Sequence, residues 1–456
     1  MSVRSPMSPD DAFRTGVRRH EFPYSGHLED RGRTTRKYFY YLYIAFTLGG
    51  ATALLIPQDS SGRGSNLVFS IAWICMHGLS VLLFFGVRRH NPWSLVFVLA
   101  FGGYVISTSL WSADPKSSLA YGGMVAGNLL VAHMMSHDLE LDEFLEISLR
   151  VILVLALAGL VLGLAGFSQA VYYDSGGRPT IIGTNPIRGL FNHKVPAALY
   201  ATIGAVLALY LRKGTKRLFY VGALGLFVVL TGSSTGLVIF PAAVLAYFFF
   251  AWLSKRESAG AILGVIVFFV IAPLIGYLLS NFATILDYLG RDVTLTGRTL
   301  LWDWGIQAWG ERPIFGWGFN GYLNGPGSAE LSAAISRFEN YEAPHFHQSY
   351  IQTAVDLGVV GLLVLVGVQF SIVRRAWVKL RSGMLPAGIP VITLMLVLVI
   401  SAMTMFLFVQ YNIYTTLFTF FVFFALRGLS RSKGDQPGSL AGPPSTGHSC
   451  CPCEVG

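Results

Sequence analysis

Charge is what this sequence has least of. Asp, Glu, Lys and Arg together make up 12% of its 456 residues, whereas a soluble domain carries about a quarter. That scarcity excludes an ordinary soluble enzyme. Cysteine is also sparse, at four residues. Cys75 lies inside an apolar run, and Cys450, Cys451 and Cys453 crowd the last residues. No disulfide framework results, and no histidine or cysteine set of suitable spacing completes a metal site around "CCPC". A cleavable leader is not expected, because the polar residues 1–37 precede the first apolar run, which would act as its own insertion signal. The net charge of +9 is spread over short loops rather than gathered in a patch. That pattern argues against nucleic acid and for membrane orientation.

What is abundant is apolar. Hydrophobic residues make up 53% of the chain, the mean hydropathy is +0.56, and 50 glycines suit close helix approach in lipid. Windows of about 20 apolar residues predict an all-α polytopic membrane protein of about twelve spans. They fall near 38–56, 66–87, 93–110, 119–135, 147–166, 195–211, 218–233, 236–253, 261–280, 357–373, 387–409 and 413–427. Residues 1–37 and 428–456 are then tails, the latter expected to be disordered, around a bundle of residues 38–427. Basic clusters at 31–37, 88–90, 212–217, 254–256, 374–381 and 427–433 all fall on one side. An acidic loop, "SHDLELDEFLEISLR", is the exception on that side. The positive-inside rule places both termini in the cytoplasm.

Three polar segments face outward: 111–118, 167–194 and 281–356. So long a loop between spans usually has a function. "TGRTLLWDWGIQAWGE" reads as a helix with Thr296 as N-cap and Leu300, Leu301, Trp304 and Ala308 on one face. "RPIFGWGFNGY" reads as a turn-rich connector, and "SAELSAAISRF" as a second short helix. Trp302, Trp304, Trp309 and Trp317 suit a membrane interface, where an indole is half wet.

The outward face gathers Arg188, His193, Lys194, Arg298, Arg312, His345 and His347. Arg298 lies in the first turn of its helix, where free N–H groups favour an anion, and an arginine fork adds bidentate recognition of phosphate. Lipid headgroups, Asp303 and Glu311 are the competing partners for these arginines. His345 and His347 would share one face of an extended segment. Such a pair is open to three uses: a general base, an interfacial structural role, or a metal site completed by Glu342 and Asp356. Composition points to an enzyme, or a binder of anionic substrate, on the non-cytoplasmic face.

Three stretches resemble the superfamily of O-antigen ligases and bacterial polysaccharide polymerases, which includes exopolysaccharide polymerases. "SLWSADPKSSL" (109–119) resembles its Trp-Ser-x-Asp-Pro segment. "TGRTLLWDWGIQAWGERPIFGWGFNGY" (296–322) looks like its Gly-Arg, helix, Pro-x-x-Gly-x-Gly element. "HQSYIQTAVDLGVVGLL" (347–363) is similar to its histidine segment and following helix start. The resemblance implies a helical bundle of the glycosyltransferase-C type. It also implies an inverting glycosyl transfer, without metal or other cofactor, from an undecaprenyl-diphosphate-linked glycan to an acceptor hydroxyl on the periplasmic face of the inner membrane. His347 takes the place of the family's base, and Arg298 that of the loop arginine at the diphosphate.

One departure is visible. Family members carry a Ser-Arg-Gly/Ala segment at the outer end of a middle helix, whereas "LTGSSTGL" (230–237) offers Ser233, Ser234 and Thr235 and no arginine. "IRGLFNHKVPAALY" (187–200) resembles a Gly-x-x-x-His-Lys segment of exopolysaccharide polymerases. Arg188, His193 and Lys194 are therefore expected to complete the substrate pocket together with Arg312, His345 and Ser234. That favours a polymerase over a ligase acting on lipid A core, with membrane lipids and a chain-length regulator as further partners. A non-catalytic scaffold for an export machine and a lipid-linked glycan transporter are the remaining alternatives. The transporter would carry ionisable groups within its spans, and the predicted spans hold almost none.

Overall fold

The computed structural model describes residues 26–50, 67–87, 91–172, 180, 182–255, 298–325 and 345–428. Among them there is no β-strand, and one isolated bridge joins Val171 to Ile187. The helices are α1 Gly26–Thr47, α2 Leu67–Phe84, α3 Pro92–Leu110, α4 Pro115–Asp138, α5 Leu141–Leu164, α6 Lys194–Leu211, α7 Gly214–Leu230 and α8 Ser234–Leu253. After the span expected at 261–280, which lies outside the described residues, come α9 Arg298–Glu311, the single turn α10 Gly321–Asn324, α11 Ser349–Arg381, α12 Gly388–Ala402 and α13 Tyr414–Gly428.

Long apolar runs become helices because a helix satisfies its own backbone where water cannot. Five of the described helices are long and apolar enough to cross a membrane: α3, α5, α6, α8 and α11. Three shorter apolar helices accompany them, Ile71–Phe84, Gly388–Ala402 and Tyr414–Arg427. The chain is therefore mostly helical and of membrane type, but the figure of about twelve spans is not reached among the described residues.

Two boundaries differ from expectation. Helix α1 starts at Gly26, inside the stretch read as a tail. The run 387–409 is not one span: α12 stops at Ala402, and residues 403–413 are irregular although Phe406, Leu407, Phe408 and Val409 are buried. Side chains satisfy this backbone instead of a helix. The Ser349 hydroxyl accepts from the Leu407 N–H at 2.8 Å, and the Thr415 hydroxyl donates to the Leu407 carbonyl at 2.5 Å. Apolarity reports burial, and a buried loop is as apolar as a helix.

Helix α4 sets the long axis, its 24 residues rising about 36 Å. At its C-terminal end the acidic exception finds its explanation. Asp138 accepts from Arg36 Nε at 2.6 Å and from the Tyr40 hydroxyl at 2.5 Å, and the Arg33 guanidinium donates to its carbonyl at 3.0 Å. Glu143 pairs with Lys37, and Glu146 with Arg212 and Arg150. The acidic loop is thus the counter-charge for two basic segments. Arg427 stacks on Trp93 and Lys379 donates to the Leu426 carbonyl, joining the later basic segments to their helices. The other end of α4 meets the candidate site.

Candidate functional site

The site begins with a helix start. Asp114 caps α4: its carboxylate accepts from the Ser117 N–H at 3.2 Å and hydroxyl at 2.6 Å, with Pro115 in the first turn. An aspartate followed by proline is a common helix entry. The Ser117 hydroxyl, above all, holds the Asp114 carboxyl below its usual range, against a smaller opposing effect of burial. Ser112 braces the turn, accepting from the Asp114 N–H at 3.0 Å and sharing a hydrogen bond with Ser118 at 2.5 Å.

Against this turn lies the glycine connector that follows α9. Its backbone pairs with a break in α11 at Gly358, where φ is 64° and ψ −167°. The Trp317 N–H donates to the Val355 carbonyl at 2.8 Å, Gly318 to Asp356 at 3.1 Å, and Val359 back to Pro313 at 2.8 Å. The groups freed by the break are therefore satisfied by a strap from another segment. The approach leaves no room for side chains: a Cβ on Gly316 would stand 2.6 Å from the Asp356 backbone, and one on Gly318 would meet Ser112. Gly316 and Gly318 also have φ of 71° and 92°. The strap reaches the first motif through Ala113 N–H to the Trp317 carbonyl (3.2 Å) and Phe319 N–H to the Thr108 hydroxyl (3.0 Å).

The histidine segment sits on the same scaffold. Phe346 is fully buried. Its N–H donates to Gln352 Oε1 at 3.0 Å, and its carbonyl accepts from Trp302 Nε1 at 3.1 Å. Gln352 in turn donates to Asp356 at 3.0 Å, so Asp356 reaches the segment through an amide rather than through the imidazoles. His345 and His347 flank this anchor half-buried, their rings 4.1 Å apart. His347 has φ 53°, a conformation that a non-glycine residue adopts at a cost of about 1–3 kcal/mol and that clusters at functional sites. Gln348 caps α11, and the Ser349 hydroxyl donates to the Met405 carbonyl at 2.8 Å. The irregular segment 403–407 thereby forms a wall beside the pair, with Phe406 packed against His345.

The remaining candidates sort by the partners they share. Arg312 donates to the Trp111 carbonyl at 3.1 Å and lies 4.0 Å over the Trp317 ring. It pairs with neither Asp303 nor Glu311. Arg188 is buried, donating to the carbonyls of Gln169 (2.9 Å) and Asn192 (3.2 Å), while its second terminal nitrogen has no hydrogen-bond partner among the described residues. Burial pushes its pKa down, against a smaller opposing effect of Tyr172. His193 caps α6, accepting from the Val195 N–H at 3.1 Å, and its other ring nitrogen meets the Tyr172 hydroxyl at 2.9 Å. Lys194 lies over the same Tyr172 ring. Tyr172 thus gathers two predicted residues and was missed in the sequence, where an isolated tyrosine carries no signal. Pro196, two residues after Lys194, sits in the first turn of α6, where its missing N–H costs no helical hydrogen bond.

Ser234 is the exposed first residue of α8, whose cap is Ser233. The Ile187 N–H donates to the Leu230 carbonyl at 2.8 Å, so the arginine-free turn adjoins the segment that carries Arg188. Arg298 opens α9; its side chain, like Thr296, Glu342 and the predicted helix at 328–338, lies outside what is described. The tryptophans are half-exposed as expected, yet three of their indoles donate to protein carbonyls: Trp302 as above, Trp309 to Pro313 and Trp317 to Ala308.

Comparison with known proteins bears on this arrangement. The O-antigen ligase family matches residues 218–366, a stretch holding α9, the strap and the histidine segment. The Exopolysaccharide production protein ExoQ of Rhizobium meliloti (strain 1021) is 27% identical over 337 residues, covering 71% of this chain and 74% of that protein. Together these two matches support the O-antigen ligase-like superfamily for this chain. The same matches, with the several apolar helices, support a multi-pass membrane protein with a polysaccharide polymerase or ligase role of glycosyl-transfer type.

Proposed function

We propose that this protein polymerises undecaprenyl-diphosphate-linked oligosaccharide repeats, on the periplasmic face of the inner membrane, by inverting and metal-independent glycosyl transfer. His347 is the general base. It takes the proton of the acceptor hydroxyl as that oxygen bonds to the anomeric carbon, while the bond from this carbon to the diphosphate oxygen breaks. The departing diphosphate carries the electron pair and needs cations rather than a strong acid. Arg298 is the residue assigned to it, with Arg312 and Arg188 adding positive charge.

The observation that carries this reading is the state of the described arginines beside the strap and the middle segment. Arg312 and Arg188 rest on carbonyls and a ring, so among the described residues neither is neutralised by a carboxylate. A site built to receive an anion keeps its positive charge in that state. The 27% identity to an exopolysaccharide production protein supports polymerase over ligase.

The test is genetic. In cells depending on this protein, His347→Ala and Arg298→Ala are expected to abolish long-chain polysaccharide at normal protein level, with single repeats accumulating. Unchanged polymer in both variants overturns the reading. Transfer of preformed chains to lipid A core, with chain length unaffected, would make the protein a ligase instead.

A further inference from the structure

The two histidines are not equivalent in the fold. On an extended segment they would project side by side. Instead His347 turns into the left-handed region, with φ 53°, and its N–H donates to His345 Nδ1 at 3.2 Å. A side-chain acceptor at one residue taking the N–H two residues on is the geometry of an Asx turn, here made by an imidazole. To accept at Nδ1, a neutral His345 carries its proton on Nε2. The intervening Phe346 peptide is fixed at both of its polar atoms, by Gln352 and by Trp302. His345 therefore closes a set of three hydrogen bonds that orient the backbone from which the His347 ring projects.

We propose that His345 is a positioning residue for His347: its Nδ1 holds the left-handed turn that aims the second imidazole at the acceptor hydroxyl. This rests on the reading of His347 as the base. It reassigns His345 from a group that touches substrate to one that acts through its neighbour. A misaimed base lowers turnover while leaving donor recognition, which belongs to the arginines, in place.

Asparagine separates this role from the others. It has no imidazole, but its side-chain carbonyl reaches the N–H two residues on. The experiment compares His345→Ala, His345→Asn, His347→Ala and the double alanine variant of the full-length protein in membranes. Turnover is measured with lipid-linked repeats extracted from the producing cells, and folded protein is followed by quantity and thermal stability. His345→Ala is expected to lower kcat by about 10- to 100-fold with KM changed less than about 3-fold, the size of effect that misplacement of a catalytic group produces. His345→Asn is expected to recover most of that loss, and His345→Ala to add little on top of His347→Ala. Asparagine no better than alanine, a rise in KM as the main effect, or a wild-type His345→Ala each overturns the positioning role. Wild-type turnover in His347→Ala overturns the base itself, whatever His345 does.

Discussion

At the basic end of the bundle, Asp138 is shared by Arg36 and Tyr40, and Glu146 by Arg212 and Arg150. At the histidine end, the partners of Arg188 and Arg312 among the described residues are carbonyls and a tryptophan ring. The backbone differs as well. Among the described residues, the non-glycine positions with positive φ are Asn320, His347, Val409 and Asn412, all on segments after α9. At the basic end the acidic loop neutralises Arg36, Lys37, Arg150 and Arg212, while Arg427 and Lys379 rest on a ring and a carbonyl. At the histidine end Arg188 and Arg312 have no carboxylate partner among the described residues, and the left-handed positions lie beside the strap and the segments after it. That contrast is expected where one end only anchors the bundle and the other meets a charged substrate, because strain persists only where surrounding structure over-determines it.

The contrast can be broken most sharply at Asp138. Removing one partner of a buried pair leaves the other charge buried alone, at about 3–5 kcal/mol, and the Arg36 and Asp138 side chains are only 13% and 8% exposed. Asp138→Ala is expected to lower the thermal unfolding temperature more than any arginine substitution at the histidine end. Gly358→Ala tests the strap. A Cβ there would collide with the Ile314 carbonyl at an unsuitable φ, so a loss of about 2–5 kcal/mol is expected from strain and overpacking together, read as lost folded protein in membranes.

Arg312→Ala should do the reverse. Arg312 is an exposed residue that holds one ring and one carbonyl, so a loss of about 1 kcal/mol or less of stability is expected, while polymer yield falls by about 10-fold or more if its charge serves the diphosphate. Asp114→Ala removes a cap for about 1 kcal/mol, and Asp114→Asn should restore it. Because the folded Asp114 pKa is depressed, its charge-dependent share is present at neutral pH and is lost as pH falls below about 4. The smallest effect is expected from Arg150→Ala, an exposed i,i+4 partner of Glu146 worth under about 0.5 kcal/mol in a thermal melt.

Helix positions were legible because an apolar run in lipid has few other ways to satisfy its backbone. The helix at 298–311 was readable too, with Leu301 and Ala308 buried as its periodicity required. The break at 403–413 was not, because its residues are as apolar as a span. The strap was also hidden: "PIFGWG" marks a turn, but which backbone it pairs with depends on a segment about forty residues later. His193 was legible as a histidine worth noting and illegible as a cap. Tyr172 and Gln352, which orient two groups of candidates, gave no local signal at all.

The amino-acid sequence alone determined that this is a helical membrane protein and where its basic clusters lie. Those are properties of composition and local order. Tertiary structure decided that the acidic loop neutralises the basic segments, that a glycine connector fills the gap in α11, and that His345 turns its ring on the His347 N–H rather than outward. Each of these depends on a donor meeting an acceptor across a loop, a turn or a helix break, and a pattern read along the chain does not contain that geometry.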